Sequence, residues 1–202
     1  IPYGLSEDFC VAASSDAMPA PRAVFTSNPL RSLDWLLDRW AQDIQPNVPE
    51  AQLHLFTGAA TYGSAGYAKA DQMAAVLARA DALKNQGVVV RGPVPKSRLI
   101  DEFREARCML YRGDINETFC LAVGEAQAMG VPAVVQKYGS VVERVDDGET
   151  GYVADDDRAF AEAAIKLLSD EELWRRQHQT ALDKQRSWRW PDAAAAFENL
   201  IG

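Results

Sequence analysis

CMLYRGDINETFCLAVGEAQAMGVPAVV, residues 108–135, holds in one stretch the alternation that sets the fold. Cys108 to Tyr111 is a short apolar run of strand character. A polar loop from Arg112 to Thr118 follows, then a short helix from about Phe119 to Met129. Gly130 sits just past that helix as a C-cap, Pro132 prevents its continuation, and Ala133 to Val135 is the next strand. A strand, a helix and a strand in such close succession predict parallel strands joined by a crossover helix.

The same alternation extends outward in both directions. Upstream, Ala23-Val-Phe-Thr26 and Gln52 to Thr57 read as strands, and Val88 to Arg91 as a short buried one. Leu33, Leu36, Leu37, Trp40 and Ile44 recur at the spacing of one helical face until Pro46 and Pro49 stop it. Met73, Val76, Leu77 and Ala80 mark a helix over Tyr67 to Lys84, and Leu99 to Ala106 another. Downstream, Asp146-Asp147-Gly148 is a turn before a strand at Gly151 to Val153. Asp155 to Asp157 cap a helix with Phe160, Ala164, Leu167 and Leu168 on one face. The tail from Glu171 to Ile201 is helical with a break around Trp190-Pro191, and Ile1 to Pro21 reads as a linker. The predicted fold is α/β: a doubly wound, Rossmann-like parallel sheet with helices on both faces. Such sheets bind ligands beyond the carboxyl ends of their strands. The expected division is a linker segment at 1–21, the main domain at 22–186 and a closing helix at 187–202.

Composition narrows the function. The chain has 202 residues, enough to bury a full core, with 48% apolar and 25% charged residues. A net charge of -8 argues against a partner with a phosphate backbone, so no nucleic acid is expected. Cys10, Cys108 and Cys120 offer neither a metal spacing nor an even disulfide set, which points to a reducing, cytoplasmic compartment. No apolar run reaches membrane-spanning length. The start at Ile1-Pro-Tyr-Gly4, without Met, reads as a piece of a longer protein.

Chemistry concentrates between Glu117 and Glu125. A helix N-terminus opening at the carboxyl edge of the sheet attracts an anion, typically a phosphate. Glu117 lies just before that helix, and Glu125 roughly one and a half turns into it. Carboxylates beside a phosphate need a reason to be there, and hydrogen bonds from sugar hydroxyls supply one. A nucleotide sugar, with ribose on one side of a diphosphate and a second sugar on the other, satisfies both. The plainer alternatives are a first-turn acid favoured by the helix dipole at Glu117 and an exposed helical residue at Glu125. Val123, Ala126 and Ala128 around Glu125 favour a buried position that requires a partner.

The run from Glu117 to Pro132 resembles the Glu-x7-Glu signature and the Ala-x-Ala-x-Gly-x-Pro sequence of retaining glycosyltransferases of family 4, which have the GT-B fold. Ile1-Pro-Tyr-Gly4 is similar to the family's interdomain Ile-Pro-Asn-Gly turn, and Asp147-Gly-Glu-Thr-Gly151 to the turn after its donor site. Phe25 to Leu37 resembles its first strand, phosphate loop and helix start. The resemblance implies the C-terminal, donor-binding half of a GT-B enzyme that transfers a glycosyl group, with retention, to a glycan, lipid or small-molecule acceptor. It implies Glu117 near the reacting carbon and Arg31 on the phosphates, in place of the usual lysine; by position alone, Arg31 is as readily an exposed first-turn residue. Glu125 is implied on the ribose, with backbone N–H groups of Phe119, Cys120 and Leu121 on the diphosphate and Val94 beside the base. Asn28 stands where a second basic residue is common, and Ser32, Thr118 and Cys120 where glycines are usual. No cofactor and no metal are implied, and Asp155 to Asp157 read as a helix cap before a Mg²⁺ site. The acceptor is expected on a missing N-terminal domain. Arg175, Arg176, Lys184, Arg186 and Arg189 form a basic stretch that is a solvated face or a peripheral membrane contact. The other classes kept open are a nucleotide-sugar epimerase of the same fold and a degenerate binding or scaffold domain.

Overall fold

The computed structural model describes residues 1–14, 17–58 and 68–201. Its strands are β1 (Arg22–Phe25), β2 (Gln52–Leu55), β3 (Val88–Val90), β4 (Cys108–Leu110), β5 (Ala133–Gln136) and β6 (Gly151–Ala154). The helices are α1 (Glu7–Val11), α2 (Leu33–Arg39), α3 (Ala70–Ala82), α4 (Lys96–Arg104), α5 (Leu121–Ala128), α6 (Asp157–Ser169), α7 (Glu171–Gln185) and α8 (Trp190–Ile201). Every predicted strand is present, with ends shifted by a residue or two.

The six strands form one parallel sheet in the order β3-β2-β1-β4-β5-β6. Its centre is apolar on both faces: Ala23, Val24, Cys108, Met109, Leu110 and Val134 are fully buried. That is what a parallel sheet clad on two sides requires of its sequence. On one face α2 packs with α3, and α6 lies over β4, β5 and β6. On the other, α5 packs with α1 and α7, and Phe9 of α1 meets Phe103 of α4 at 6.1 Å between ring centroids.

Three expectations need correction. The stretch read as a linker contains α1, which buries Phe9 and Cys10; its start signal is Ser6 followed by the first-turn acids Glu7 and Asp8. The helix expected to run to Ile44 turns from α to π geometry at Trp40–Ile44, where Trp40 donates its indole N–H to the Gln86 carbonyl at 2.8 Å. Strand β3 is an edge strand rather than a buried one, so Val90 is 39% exposed. The break expected around Trp190-Pro191 is present: α7 ends at Gln185 and Trp190-Pro191 opens α8, as suits a proline in a first turn. The expected helix start at Tyr67 lies outside the described residues.

Gly130 does end α5 as predicted. Its φ of 75° allows Gly130 N–H to reach the Gln127 carbonyl and Val131 N–H the Ala126 carbonyl, a Schellman stop. No helix among the described residues is long and apolar enough to cross a membrane.

Two buried polar side chains sit in the sheet itself, Gln136 on β5 and His54 on β2. His54, on β2, bonds Gln52 through Nε2 at 2.9 Å, while its Nδ1 has no hydrogen-bond partner among the described residues. Burial, with Arg22 and Arg91 nearby, pushes its pKa down to about 4 from 6.5, against a smaller opposing pull from Glu102. Between these values the unfolded chain takes the proton and the folded chain refuses it, so acid removes stability in that window. From about pH 7 to about pH 5 the native protein should lose roughly 2 kcal/mol more than His54→Gln. Urea denaturation at the two pH values measures this, and parallel losses would show that His54 protonates freely in the folded state.

Candidate functional site

In the strand order, β1 and β4 lie side by side although 86 residues separate Arg31, after β1, from Glu117, after β4. From β1 the chain winds outward to β3, then returns to β4 and winds the other way. The loops leaving the carboxyl ends of β1 and β4 therefore diverge and leave a crevice between them. A cavity of about 230 Å³ opens there, bordered by Thr26, Ser27, Arg31, Glu117, the start of α5 and Tyr3 of the N-terminal segment.

Glu117 is the hub of this cavity. Its Oε2 accepts from Arg31 Nη1 at 2.7 Å and from the Tyr111 hydroxyl at 2.8 Å, and its Oε1 from the Cys120 N–H at 3.3 Å. Its side chain is 8% exposed, so these donors replace the water it has given up. Burial works against the charge on Arg31, but Glu117, Tyr111 and Asp114 outweigh it and hold its pKa above the ordinary value. Burial, with Cys120 and Glu117 nearby, pushes the Tyr111 pKa well up, so the phenol remains a donor.

Two helices present their N-termini beside this hub, and both begin from a residue in the left-handed region. Ser32, the N-cap of α2, has φ 60°, and Cys120, the N-cap of α5, has φ 58°. They are the positive-φ residues other than glycine among those described. Ser32 donates its hydroxyl to the Gly113 carbonyl at 3.1 Å, tying the loop after β1 to the loop after β4. The thiol of Cys120 is 3% exposed, and burial pushes its pKa up to about 12, which removes it as a nucleophile.

Arg31, Glu117, Phe119, Cys120 and Leu121 all border the cavity. Glu125 lies a turn further along α5, 6% exposed, and pairs with Lys96 at the first position of α4. Burial pushes the Glu125 carboxyl above its usual range, against the pull of Lys96. Val94 precedes the same helix and packs partly buried against the core. Asn28 turns inward on its own loop, its Oδ1 accepting from the Leu30 N–H at 2.8 Å. The three aspartates diverge: Asp155 pairs with Lys137, Asp156 caps α6 through the Ala159 N–H, and Asp157 accepts from Trp35 and Gln136. The basic stretch is likewise divided. Lys184 pairs with Asp146 and Glu149, Arg186 holds the Ala128 and Ala12 carbonyls, and Arg189 meets Glu7.

Sequence reasoning missed Tyr111, Lys96, Arg144 and Tyr3. Tyr111 follows β4 directly, at the sheet's carboxyl edge. Lys96 precedes the helix start read at Leu99, so its place at the N-terminus of α4, against the helix dipole, is known only from the structure. Arg144 packs over the Phe119 ring at 4.0 Å, a contact that only the fold reveals.

Residues 20–170 match the family described as glycosyl transferases group 1, and the chain belongs to that family. A D-inositol 3-phosphate glycosyltransferase of Corynebacterium glutamicum (strain R) is 34% identical over 110 residues, which are 54% of this chain and 26% of that protein. An N-acetyl-alpha-D-glucosaminyl L-malate synthase of Bacillus anthracis is 40% identical over 67 residues, 32% of this chain and 18% of that one. The chain thus spans about a quarter or less of the length of these curated relatives. Among solved structures, sucrose-phosphate synthase from Thermosynechococcus elongatus superposes with a TM-score of 0.78 at 19% identity, over 100% of this chain and 51% of that one. Anabaena HepE in complex with UDP and glucose superposes with a TM-score of 0.73 at 15% identity, over 98% and 56%. At such identities the likeness is one of fold: this is the Rossmann-like α/β architecture of GT-B glycosyltransferases.

The strain at Cys120 has a measurable signature. Cys120→Gly and Cys120→Ala both delete the thiol, but only alanine keeps a Cβ in the left-handed region. The glycine variant should be the more stable by roughly 1 kcal/mol in urea denaturation. Equal stabilities would mean that the backbone relaxes out of that conformation at little cost.

Proposed function

We propose that this chain is the donor-binding part of a retaining, family-4 glycosyltransferase and holds a nucleoside-diphosphate sugar at the crevice between β1 and β4. The observation that carries the proposal is the Arg31–Glu117 pair, set in a cavity beside the N-terminus of α5. A cation and a helix N-terminus on one side and a fixed carboxylate on the other suit a diphosphate joined to a sugar. Arg31 and the first turn of α5 would stabilise the charge that grows on the diphosphate as it leaves. Glu117, oriented by Tyr111 and the Cys120 N–H, would accept hydrogen bonds from the hydroxyls of the departing sugar.

In this reading Glu125 accepts the ribose hydroxyls and Val94 flanks the base with its backbone. Phe119, Cys120 and Leu121 offer N–H groups to the phosphates, and Asn28 shapes the loop that presents Arg31. No metal is required, because Arg31 and the helix meet the diphosphate charge. The acceptor, a glycan, lipid or small molecule, would bind a further domain of a longer cytoplasmic protein. The solved HepE structure that contains UDP and glucose shares this fold, which supports the choice of donor class.

Thermal unfolding against UDP, GDP, ADP and their common sugar conjugates tests the reading. Ligand at about a hundred times its dissociation constant should raise Tm by roughly 5–10 °C with one base family. Arg31→Ala and Glu125→Ala should each abolish the rise. A panel that leaves Tm unmoved at millimolar concentration would refute donor binding by this chain and favour a scaffold role.

A further inference from the structure

Tyr3 borders the cavity but has no part in the donor reading so far. Its backbone is fixed from both sides. The Leu5 N–H donates to the Trp188 carbonyl at 3.1 Å, the Trp188 indole N–H donates to the Pro2 carbonyl at 3.1 Å, and Arg189 meets Glu7 at 3.1 Å. Gly4 allows the two segments to touch, since a Cβ there would lie 2.1 Å from the Trp190 nitrogen. The Tyr3 ring stacks on Trp190 with centroids 5.6 Å apart and planes at 27°, and leans on Phe119 at 5.6 Å and 58°. Phe119 in turn lies under the Arg144 guanidinium.

The row Trp190, Tyr3, Phe119 and Arg144 is thus held in place by its own contacts, yet Tyr3 is still 47% exposed. It borders the cavity that holds Arg31 and Glu117, and also a second one of about 190 Å³ lined by Ile1, Thr118, Phe119 and Phe197. An aromatic ring fixed in position and left half open suits a ligand with an apolar face and polar rim. Phosphate has no such face. A pyranose ring does: its C–H groups can lie on an aromatic ring while its hydroxyls turn toward a carboxylate. Pockets for whole drug-sized ligands run to about 300 Å³ and above, so about 230 Å³ accommodates only a portion of a nucleotide sugar.

Resting on the donor reading, we infer that Tyr3 is a specificity-determining residue, its ring the platform against which the transferred sugar packs beside Glu117. The nucleoside diphosphate makes no use of that platform. Tyr3 therefore contributes to the affinity of the conjugate and not to that of the bare nucleotide.

Calorimetric titration of the chain, Tyr3→Leu and Tyr3→Phe with UDP, GDP and ADP, and with the glucose conjugate of each, separates the two. For the base family that binds, Tyr3→Leu should weaken the conjugate about tenfold, roughly 1.4 kcal/mol, and leave the bare nucleotide within about twofold. Tyr3→Phe should retain the native affinity for both. A conjugate bound equally well by Tyr3→Leu, or an equal loss for nucleotide and conjugate, overturns the assignment of Tyr3 and leaves the donor site standing. If the unaltered chain binds none of the six probes, the donor reading falls and Tyr3 with it.

Discussion

The structure depends on one reversal of winding. Parallel strands joined by crossover helices must be laid down outward from a starting strand, and this chain does so twice, from β1 and from β4. Where the two halves abut, Ala23 pairs with Cys108 and Val24 with Met109, and the loops above them part in opposite directions. The crevice follows from this arrangement of the backbone, whatever side chains line it. The side chains determine only what the crevice can hold, and here they place one buried carboxylate among three donors.

That carboxylate already accepts three hydrogen bonds within the chain, so donor binding as proposed would be an exchange of partners. In the proposed reading, a diphosphate that drew on Arg31 would take a charge-assisted bond away from Glu117, and Tyr111 and the Cys120 N–H would remain to keep the carboxylate satisfied. Sugar hydroxyls would then take the acceptor capacity that Arg31 released. The left-handed N-caps at Ser32 and Cys120 fit the same logic. Both are positions where local backbone energy is spent to aim a helix N-terminus at one spot, and both are locked by contacts with the opposite loop or with Glu117.

Much of this was legible in the sequence because the fold writes it with strong signals. Buried parallel strands appear as unbroken apolar runs, such as Cys108 to Leu110 and Ala133 to Val135. Gly130 and Pro132 mark the end of α5 by backbone chemistry that other residues serve poorly. Arg31 and Glu117 were singled out separately, but no pattern in the chain brings them together; the strand order does. What went unread falls into two kinds. Helix α1 is too short to show a period, having only Phe9 and Cys10 to bury. Arg144 and Tyr3 act through partners distant in sequence and Tyr111 through a carboxylate six residues on, and an aromatic residue or an arginine carries no local mark of the ring or carboxylate it will meet. Lys96 belongs with them, because a helix read from Leu99 leaves it outside the dipole that it opposes in the structure.

The three cysteines add a final consequence. Cys10, Cys108 and Cys120 are all buried, and burial pushes each thiol pKa up, that of Cys120 to about 12. None is an available thiolate in the closed protein, so the rate of alkylation reads how often the surrounding structure opens rather than how reactive the sulfur is. Cys108, in the middle of the sheet, can be modified only when the whole domain opens. Cys120 borders the crevice and Cys10 lies on the buried side of the N-terminal helix. The chain therefore carries a thiol in its core, one at its cavity and one in its first helix.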